Sequence, residues 1–358
     1  MNIYFFPIKT AFITFPLIAI ALTLPYLIIQ YHKYGAISKL KSFIVLSFFL
    51  YLLCAYYLVV LPLPHPDAIP TRASYTQLVP FNFISDFFKE SKLVLSNYHT
   101  YLPALKQGVV LQPLFNIFLT IPFGLYLATF YHKSLKKVIL FTFFLSLFFE
   151  LTQLSGVYGL YPHPYRLFDV DDLMLNTLGG IMGYGLGGLF KFVPNKNILD
   201  ENSIKHSKNV SYSRRIIAFI IDLLIIRISQ IIIVIIIGLL SRNNDLSNYV
   251  NIIFYIIFGL YFIVLHALFN NTIGKKIVNI KLIKTDFSSL LIRYLIILLV
   301  LPSFGMINIV SNYFNIPFIY IIVLALIVIN MIINFPKAKH LFYENLNNNY
   351  NVSTLVIK

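Results

Sequence analysis

Residues 150–188 read ELTQLSGVYGLYPHPYRLFDVDDLMLNTLGGIMGYGLGG, and this stretch decides how the whole chain is interpreted. A Glu and a Gln three residues apart end one apolar run, an Arg and three Asp occupy a short connection, and an Asn follows within the next run. Ionisable groups at membrane depth cost about 2.5 to 3.5 kcal/mol each, so those that are present usually have a function. The stretch therefore predicts a functional site between two apolar helices.

The composition excludes a soluble globular protein. Of the 358 residues, 58% are hydrophobic and 11% are charged, and the mean hydropathy is +0.80. Runs of about twenty apolar residues have the length that crosses a bilayer as a helix. We therefore predict an all-α, polytopic transmembrane helical bundle in the cell membrane, with membrane lipids as partners. The net charge of +15 is then a feature of membrane topology, and no nucleic-acid partner is predicted.

Hydropathy predicts about nine spans, five in the first half of the chain and about four in the second. Their limits are 10–29, 42–61, 113–131, 138–154, 172–192, 216–240, 249–269, 290–310 and 316–335. Pro302 and Gly305 interrupt the eighth run, which either spans the membrane or re-enters it. A Lys-rich polar interval, 193–213, is interpreted as a cytoplasmic linker between an N-terminal domain, 1–192, and a C-terminal domain, 214–358.

The distribution of Lys and Arg predicts the orientation of the chain. Most of the 28 basic residues fall in the C-terminal tail and in the connections 30–41, 132–137, 193–215 and 270–289. The alternate connections hold fewer of them. Because Lys and Arg mark the cytoplasmic side of a membrane protein, we predict an outside N-terminus and a cytoplasmic C-terminus.

Polar residues from three spans are predicted to meet on one side of the membrane. The third span begins, the fourth ends and the fifth begins on the same side, in either orientation. Asp169, Asp172 and Asn176 follow the i, i+3, i+7 pattern of one helical face. Glycines recur every four residues from 179 to 187, a pattern that favours close helix packing. The candidate ligand-binding residues, which we call the polar cluster, are Asn82, Asn116, Glu150, Gln153, Arg166, Asp169, Asp172 and Asn176.

Several of these residues also have a purely structural interpretation. Glu150 could extend to the interface, Asp169 could cap a helix, and Arg166 could neutralise the neighbouring acids. His163 lies between two prolines without a spaced set of Cys or His, so no metal site is predicted. No cofactor is predicted, no catalytic residue is assigned, and no oligomeric state is inferred.

Four motifs carry a family resemblance in the first half. They are LVPFN at 78–82, QPLFNIFLTIPFG at 112–124, ELTQ at 150–153, and R-x-x-D-x-D-D-x-x-x-N-T-x-G-G at 166–180. Together they make residues 40–192 resemble the VanZ-like family, named for a teicoplanin-resistance protein. The resemblance implies an integral membrane protein of the Gram-positive cell envelope that in some cases lowers susceptibility to teicoplanin-type lipoglycopeptides. It also implies that the polar cluster comprises the family's polar positions in this chain.

The second half carries a different resemblance. SRRIIAFIIDLLI at 213–225 and NNTIGKKIVNIKLI at 270–283 precede a later Arg at position 293 and the tail HLFYENL. These features make residues 211–358 resemble an RDD-family domain, with Arg215, Asp222 and Arg293 as its intramembrane charges.

The charges of this second half predict a buried ion pair. Asp222 lies seven residues, or about 10 Å, deeper than Arg215 along a helix, and Arg293 is a reachable partner for it. Ion or proton passage is the alternative. Arg227 is near mid-membrane and has no assigned partner. The lysines at 275, 276, 281 and 284 are interpreted as lipid-headgroup or topology residues.

Three functions remain open from the sequence. The first is a non-enzymatic envelope protein that binds or shields a polar ligand at the outer membrane surface, such as a lipid-linked cell-wall precursor or a lipoglycopeptide. The second is an ion- or proton-coupled transporter that uses Asp222, Arg227 and Glu150. The third is a membrane enzyme acting on a lipid-linked wall precursor with paired carboxylates. For the enzyme, the sequence contains no evident nucleophile with an adjacent base, metal-ligand set or phosphate-binding loop.

Overall fold

The chain forms two compact units. The computed structural model describes residues 2–65, 69, 73–241, 247–300, 344 and 348–355. The first unit comprises Met1–Ala21 and Lys39–Leu199, and the second comprises Leu22–Ser38 and Asp200–Lys358. One division between the units therefore falls inside the first helix of the chain.

Seven helices in the described part of the chain are long and apolar enough to cross a membrane, which confirms the all-α polytopic bundle. They are Phe5–Tyr34, Lys39–Val60, Gly108–Thr129, Leu135–Leu154, Val170–Phe190, Tyr212–Leu240 and Tyr249–Phe269. They overlap the first seven predicted spans. A shorter apolar helix, Phe287–Leu298, covers the start of the predicted eighth span. The end of that span, with Pro302 and Gly305, and the predicted span 316–335 lie outside the described residues.

The first unit contains the helices up to α8 and a short parallel sheet. In chain order its helices are α1 (Asn2–Tyr34, shared with the second unit), α2 (Lys39–Val60), α3 (Asn82–Glu90), α4 (Tyr101–Leu105), α5 (Gly108–Thr129), α6 (Leu135–Leu154), α7 (Gly156–Gly159) and α8 (Val170–Leu186). Short 3-10 turns cover Tyr98–Thr100 and Gly187–Phe190. Strand β1 (Thr76–Gln77) pairs in parallel with β2 (Phe168–Asp169), and Thr76 lies opposite Phe168.

Helices α5 and α8 pack with their backbones in direct contact at glycines. A Cβ atom added at Gly124 would lie 2.0 Å from the carbonyl oxygen of Gly180. One added at Gly183 would lie 2.1 Å from the carbonyl oxygen of Ile121. Small residues permit this approach because no side chain separates the two backbones. The packing holds the beginning of α8 beside the beginning of α5.

The segment before α3 is held to the beginning of α8 by Asp171. One carboxylate oxygen of Asp171 accepts the backbone N–H of Phe81 at 2.6 Å, and the other accepts that of Phe83 at 2.9 Å. Phe81 has a φ of 64°, a left-handed conformation that residues other than glycine seldom adopt. The two hydrogen bonds stabilise this turn and place α3 beside the same ends of α5 and α8.

The second unit combines the end of α1 with six further helices and an antiparallel strand pair. The helices are α9 (Lys196–His206, which begins in the first unit), α10 (Tyr212–Ser241), α11 (Ser247–Gly259), α12 (His266–Phe269), α13 (Ile273–Ile277) and α14 (Phe287–Val300). A π-helical segment, Leu260–Leu265, joins α11 to α12. Strand β3 (Ile280–Leu282) pairs with β4 (Asn351–Ser353), and Ile280 lies opposite Ser353.

Aromatic rings form the core of the second unit. The rings of Phe262 and Tyr294 stack with centroids 4.4 Å apart, and those of Phe258 and Phe262 lie 4.7 Å apart. Ile226 of α10 and Leu290 of α14 belong to the same buried cluster. Such aromatic pairs contribute about 0.5 to 1.5 kcal/mol each beyond the burial of their area, so they stabilise the packing of α10, α11 and α14.

Candidate functional site

A cleft of about 820 Å³ lies at one end of the helices of the first unit. The walls come from the end of α2, the beginning of α5, the end of α6, the segment before α8 and the beginning of α8. The polar and charged residues that line it are Lys106, Gln112, Asn116, Glu150, Gln153, Tyr165, Arg166, Asp169, Asp172 and Asn176. Seven of the eight residues of the polar cluster are therefore brought together around one cavity.

Asp172 and Asn116 form the direct contact between α8 and α5 inside the cleft. The side-chain amide of Asn116 donates a hydrogen bond to Oδ1 of Asp172. No donor among the described residues reaches the other carboxylate oxygen of Asp172. The backbone carbonyl of Asp172 accepts a hydrogen bond from Ser146 of α6 at 3.3 Å. Asp172 thus joins three helices and still has one oxygen available to a ligand.

Glu150 is buried at the end of α6, with 3% of its surface exposed. Its Oε2 accepts the backbone N–H of Asp169 at 3.0 Å. Asp169 in turn accepts the N–H of Asp171 at 2.9 Å and so caps α8, which is the structural role considered for it from the sequence. The side chain of Asp169 nevertheless also lines the cleft. The interpretation that the Glu150 side chain extends to the membrane interface is wrong, because the carboxylate is buried and accepts the Asp169 N–H in the connection before α8.

Asn176 lies deeper in the cleft, one helical turn beyond Asp172. Its amide nitrogen donates to Ser146 Oγ at 2.8 Å, and its backbone carbonyl accepts a hydrogen bond from Thr120 at 2.6 Å. Only 3% of Asn176 is exposed, yet its Oδ1 accepts no hydrogen bond from any described residue. A buried oxygen without a donor costs about 1 to 3 kcal/mol, so this atom indicates where a bound group would donate.

Gln153 and Arg166 complete the cleft from the α2 side and from the connection before α8. Gln153 donates to the backbone carbonyl of Val59 at 3.0 Å, which attaches α6 to the end of α2. Arg166 is exposed at the cleft and makes no hydrogen bond to a described residue. Arg166 lines the cleft together with Glu150 and Asp172 but forms no ion pair with a described residue, so its neutralising role stays a prediction.

Asn82 is the member of the polar cluster that the structure places elsewhere. Its side chain donates to Asp86 at 2.9 Å, within the first turn of α3, and it does not line the cleft. The structure therefore does not bring Asn82 together with the other seven residues of the polar cluster. Sequence reasoning also missed the role of Asp171. Its acidic motif was recognised, but the two backbone N–H groups that its carboxylate accepts were not.

A second, smaller cavity of about 310 Å³ adjoins this region and is lined by carboxylates. These carboxylates are Asp86, Glu90, Asp169, Asp171 and Asp172. Burial raises the pKa of Asp169, and the nearby Asp171 and Asp86 carboxylates raise it further. Within the described residues, no group of three or more His, Cys, Asp or Glu side chains is arranged to hold a metal ion.

The charges of the second unit form a separate network. The carboxylate of Asp222 accepts hydrogen bonds from the Tyr261 hydroxyl at 2.6 Å, the Thr272 hydroxyl at 2.7 Å and the Gly274 N–H at 2.6 Å. Arg293 instead pairs with Glu344 at 3.2 Å. The predicted pairing of Asp222 with Arg293 was therefore wrong, because neutral donors satisfy the aspartate.

Glu344 is the acid that the sequence did not identify in this network. It is fully buried and pairs with both Arg215 and Arg293. The side chain of Asn351 donates to the same carboxylate at 2.6 Å. Arg227, which had no assigned partner, donates to Gln230 at 2.9 Å and lies 4.2 Å over the Phe254 ring. Each intramembrane charge of the RDD-like half is thus engaged within its own unit.

The structure does not agree with the interpretation of Lys275 as a lipid-headgroup or topology residue. Only 7% of it is exposed, and its ammonium group donates to the Tyr294 hydroxyl at 2.6 Å. Tyr294 also contacts His266 Nδ1 at 3.2 Å. Burial lowers the pKa of Lys275 to about 7, although the Asp222 carboxylate opposes this effect.

Comparisons with known families agree with the two resemblances and with their order. The VanZ/LLP1 family matches residues 48–191, and the RDD family matches residues 210–343. No curated protein and no solved structure matches the chain. Together with the apolar helices, these matches define a multi-pass membrane protein. The chain consists of a VanZ-like region followed by an RDD-family domain, as the sequence motifs predict.

Proposed function

We propose that this protein belongs to the bacterial cell envelope and binds or shields a polar ligand in the cleft, thereby changing susceptibility to teicoplanin-type lipoglycopeptides. The observation that carries the proposal is the combination of Asp172 and Asn176 in one cavity. Within the described residues, one carboxylate oxygen of Asp172 and the buried Oδ1 of Asn176 each receive no hydrogen bond. A preformed site with acceptors that the protein does not satisfy is suited to bind rather than merely to support the fold.

The proposed ligand approaches from outside the cell. The opposite ends of the helices in the first unit carry Lys39, Lys133, Lys136, Lys137 and Lys191. Because basic residues favour the cytoplasmic side, this distribution supports a cleft that opens at the outer surface and a cytoplasmic C-terminus. Lipid-linked wall precursors and lipoglycopeptides are both encountered at that surface.

The alternative functions have weaker support from the geometry. A transporter would use Asp222, Arg227 and Glu150, but Asp222 accepts three hydrogen bonds and Arg227 is held by Gln230 and Phe254. These contacts favour a structural role for the charges of the second unit. An enzyme that forms a covalent intermediate through Ser, Thr, Cys or His would need one of these beside the cleft carboxylates, and the described residues that line the cleft include none of them.

The test of this proposal uses isosteric changes at two cleft carboxylates. Glu150→Gln and Asp172→Asn remove charge while keeping an oxygen for the Asp169 N–H and for the Asn116 amide. Both variants should abolish any change in lipoglycopeptide susceptibility, with membrane abundance measured by immunoblot as the reference. Glu201→Gln, at an exposed carboxylate of α9, is the matched control and should retain the phenotype. Unchanged susceptibility in both cleft variants would refute the proposal.

A further inference from the structure

We propose that the cleft selects a membrane amphiphile whose head group carries a primary ammonium group. This inference rests on the proposed function, since it specifies the chemistry of the ligand in the same cavity. The starting point is the balance of donors and acceptors. Glu150, Asp169 and Asp172 contribute three carboxylates, whereas Lys106 and Arg166 contribute the cations.

The deep part of the cleft presents acceptors. Glu150 uses one carboxylate oxygen for the Asp169 N–H, and Asp172 uses one for Asn116. Among the described residues, the hydrogen bonds to these two carboxylates reach only those first oxygens. The buried Oδ1 of Asn176 receives no donor from a described residue. A primary ammonium group has three N–H donors and a positive charge, so it complements carboxylate and amide oxygens at once. A hydroxyl group offers one donor and no charge.

The rim of the cleft has the opposite character. Lys106 and Arg166 are both exposed there. Two cations beside three buried or half-buried carboxylates suit a head group in which an anionic group, such as a phosphate, adjoins the ammonium. The ammonium would lie against Glu150 and Asp172, and the phosphate would lie against Lys106 and Arg166.

The cleft wall on α5 accounts for the apolar part of the ligand. Leu111, Phe115, Phe118 and Leu119 line the cleft, and 60% of Phe118 is exposed. From Gly108 to Leu119 the helix rises about 16 Å, so the cavity extends along about three turns of this apolar helix. An acyl chain lying on this apolar wall would keep its head group at the level of the carboxylates.

The experiment measures lipid binding to the purified full-length protein by native mass spectrometry. Phosphatidylethanolamine, phosphatidylcholine and phosphatidylglycerol with identical acyl chains are compared. Phosphatidylcholine keeps the positive charge but has no N–H donor, and phosphatidylglycerol replaces the ammonium with hydroxyls. We expect phosphatidylethanolamine to bind at least about tenfold more tightly than either, because each lost hydrogen bond to a charged group corresponds to about tenfold or more in affinity.

Free phosphoethanolamine separates recognition of the head group from recognition of the amphiphile. It should bind far more weakly than the lipid, because it lacks the chain that contacts the α5 wall. Equal affinity for the free head group and the lipid would overturn the assignment of an amphiphile. Equal affinity for the three lipids, or tighter binding of phosphatidylglycerol, would overturn the ammonium assignment.

Variants connect the preference to the cleft. Asp172→Asn and Glu150→Gln should each remove the preference for phosphatidylethanolamine, whereas Glu201→Gln should preserve it. Lys106→Gln, at an exposed position, should weaken the binding of all three phospholipids by a similar factor and leave the order of their affinities unchanged. Melting curves verify that each variant is folded. A preference that persists in both carboxylate variants would show that the lipid binds elsewhere.

The failure of this inference can be distinguished from failure of the proposed function. Suppose the cleft variants lose the susceptibility phenotype while the original protein binds the three phospholipids with equal affinity. The cleft then binds a different head group, and only the ammonium assignment is refuted. If the cleft variants keep the phenotype and the three phospholipids bind with equal affinity, both proposals are refuted.

Discussion

The carboxylate of Asp171 accepts the backbone N–H of Phe81, 90 residues earlier in the chain, at 2.6 Å. Its second oxygen accepts the N–H of Phe83 at 2.9 Å, and only 2% of Asp171 is exposed. The LVPFN motif and the acidic motif at the beginning of α8 are therefore two halves of one structural element. The Asp171 hydrogen bonds place α3 beside the cleft, although neither Asp171 nor residues 81–83 line it.

The first prediction is that Asp171→Ala releases the segment before α3. The substitution leaves two backbone N–H groups without their acceptor, which should cost about 3 kcal/mol. Hydrogen exchange of residues 76–90 should accelerate strongly, while exchange in α10 stays unchanged. Asp86→Ala is the control, because it removes only the contact with Asn82 within α3 and should cost about 0.5 kcal/mol. Equal protection of the segment in the two variants would contradict the role assigned to Asp171.

The second prediction concerns the glycine contact between α5 and α8. Gly124→Ala would place a methyl group 2.0 Å from the Gly180 carbonyl oxygen, so the two helices would have to separate. We expect a loss of about 1 to 3 kcal/mol of stability, measured by unfolding in increasing sodium dodecyl sulfate. Gly185→Ala serves as the control. It lies on α8, the partner helix, and a Cβ atom added there would meet no atom within 4 Å. A loss of similar size in the control would show that helix flexibility, rather than close packing, explains the effect.

The sequence predicted the first unit well where the geometry follows from topology. Asn116, Glu150 and Asp172 meet because consecutive spans alternate in direction, which places one beginning, one end and the next beginning on the same side. The period of four in the glycines likewise predicted a close helix contact. These inferences need only helix periodicity and alternation, and both are visible in the residues.

The sequence did not predict contacts made by backbone groups or by distant parts of the chain. Asp171 binds two N–H groups, and such partners leave no side-chain pattern from which they could be inferred. Arg293 was assigned to Asp222 because its depth, near the cytoplasmic start of another span, makes it a reachable partner. In the structure the Gly274 N–H and two hydroxyl groups satisfy Asp222, and Glu344 from the tail reaches Arg293. Depth alone does not specify which of two acids contacts a guanidinium.

The third prediction is that the stability of the second unit rises with pH because of Lys275. Its pKa is about 7 in the folded protein, where burial disfavours the charge, and 10.5 for an ordinary lysine. Between these values the unfolded chain binds a proton that the folded chain lacks, so the free energy of unfolding increases with pH. The slope from this group is at most about 1.4 kcal/mol per pH unit. Below pH 7 both states are protonated and the contribution is constant at its least favourable value.

Lys275→Met isolates this contribution. The variant should be more stable than the original protein at pH 6, and the difference should shrink as the pH approaches 10. Chemical unfolding at several pH values measures both effects. Lys276→Met changes the exposed neighbouring lysine and should leave the slope unaltered. If the two variants share one pH dependence, the lowered pKa of Lys275 does not contribute to stability.

The fourth prediction is that Glu344 secures the C-terminal segment through its two arginines. Glu344→Gln removes the negative charge between Arg215 and Arg293, both of which are buried. Breaking a buried ion pair from one side costs about 3 to 5 kcal/mol, because the remaining charges keep their desolvation penalty. The variant should unfold at lower denaturant concentration and expose β4 to proteases. Adding Arg293→Met to Glu344→Gln should recover part of the loss, because it removes one of the two stranded cations. If the double variant loses as much free energy of unfolding as the sum of the losses in Glu344→Gln and Arg293→Met, the two residues act independently and the proposed coupling between them is wrong.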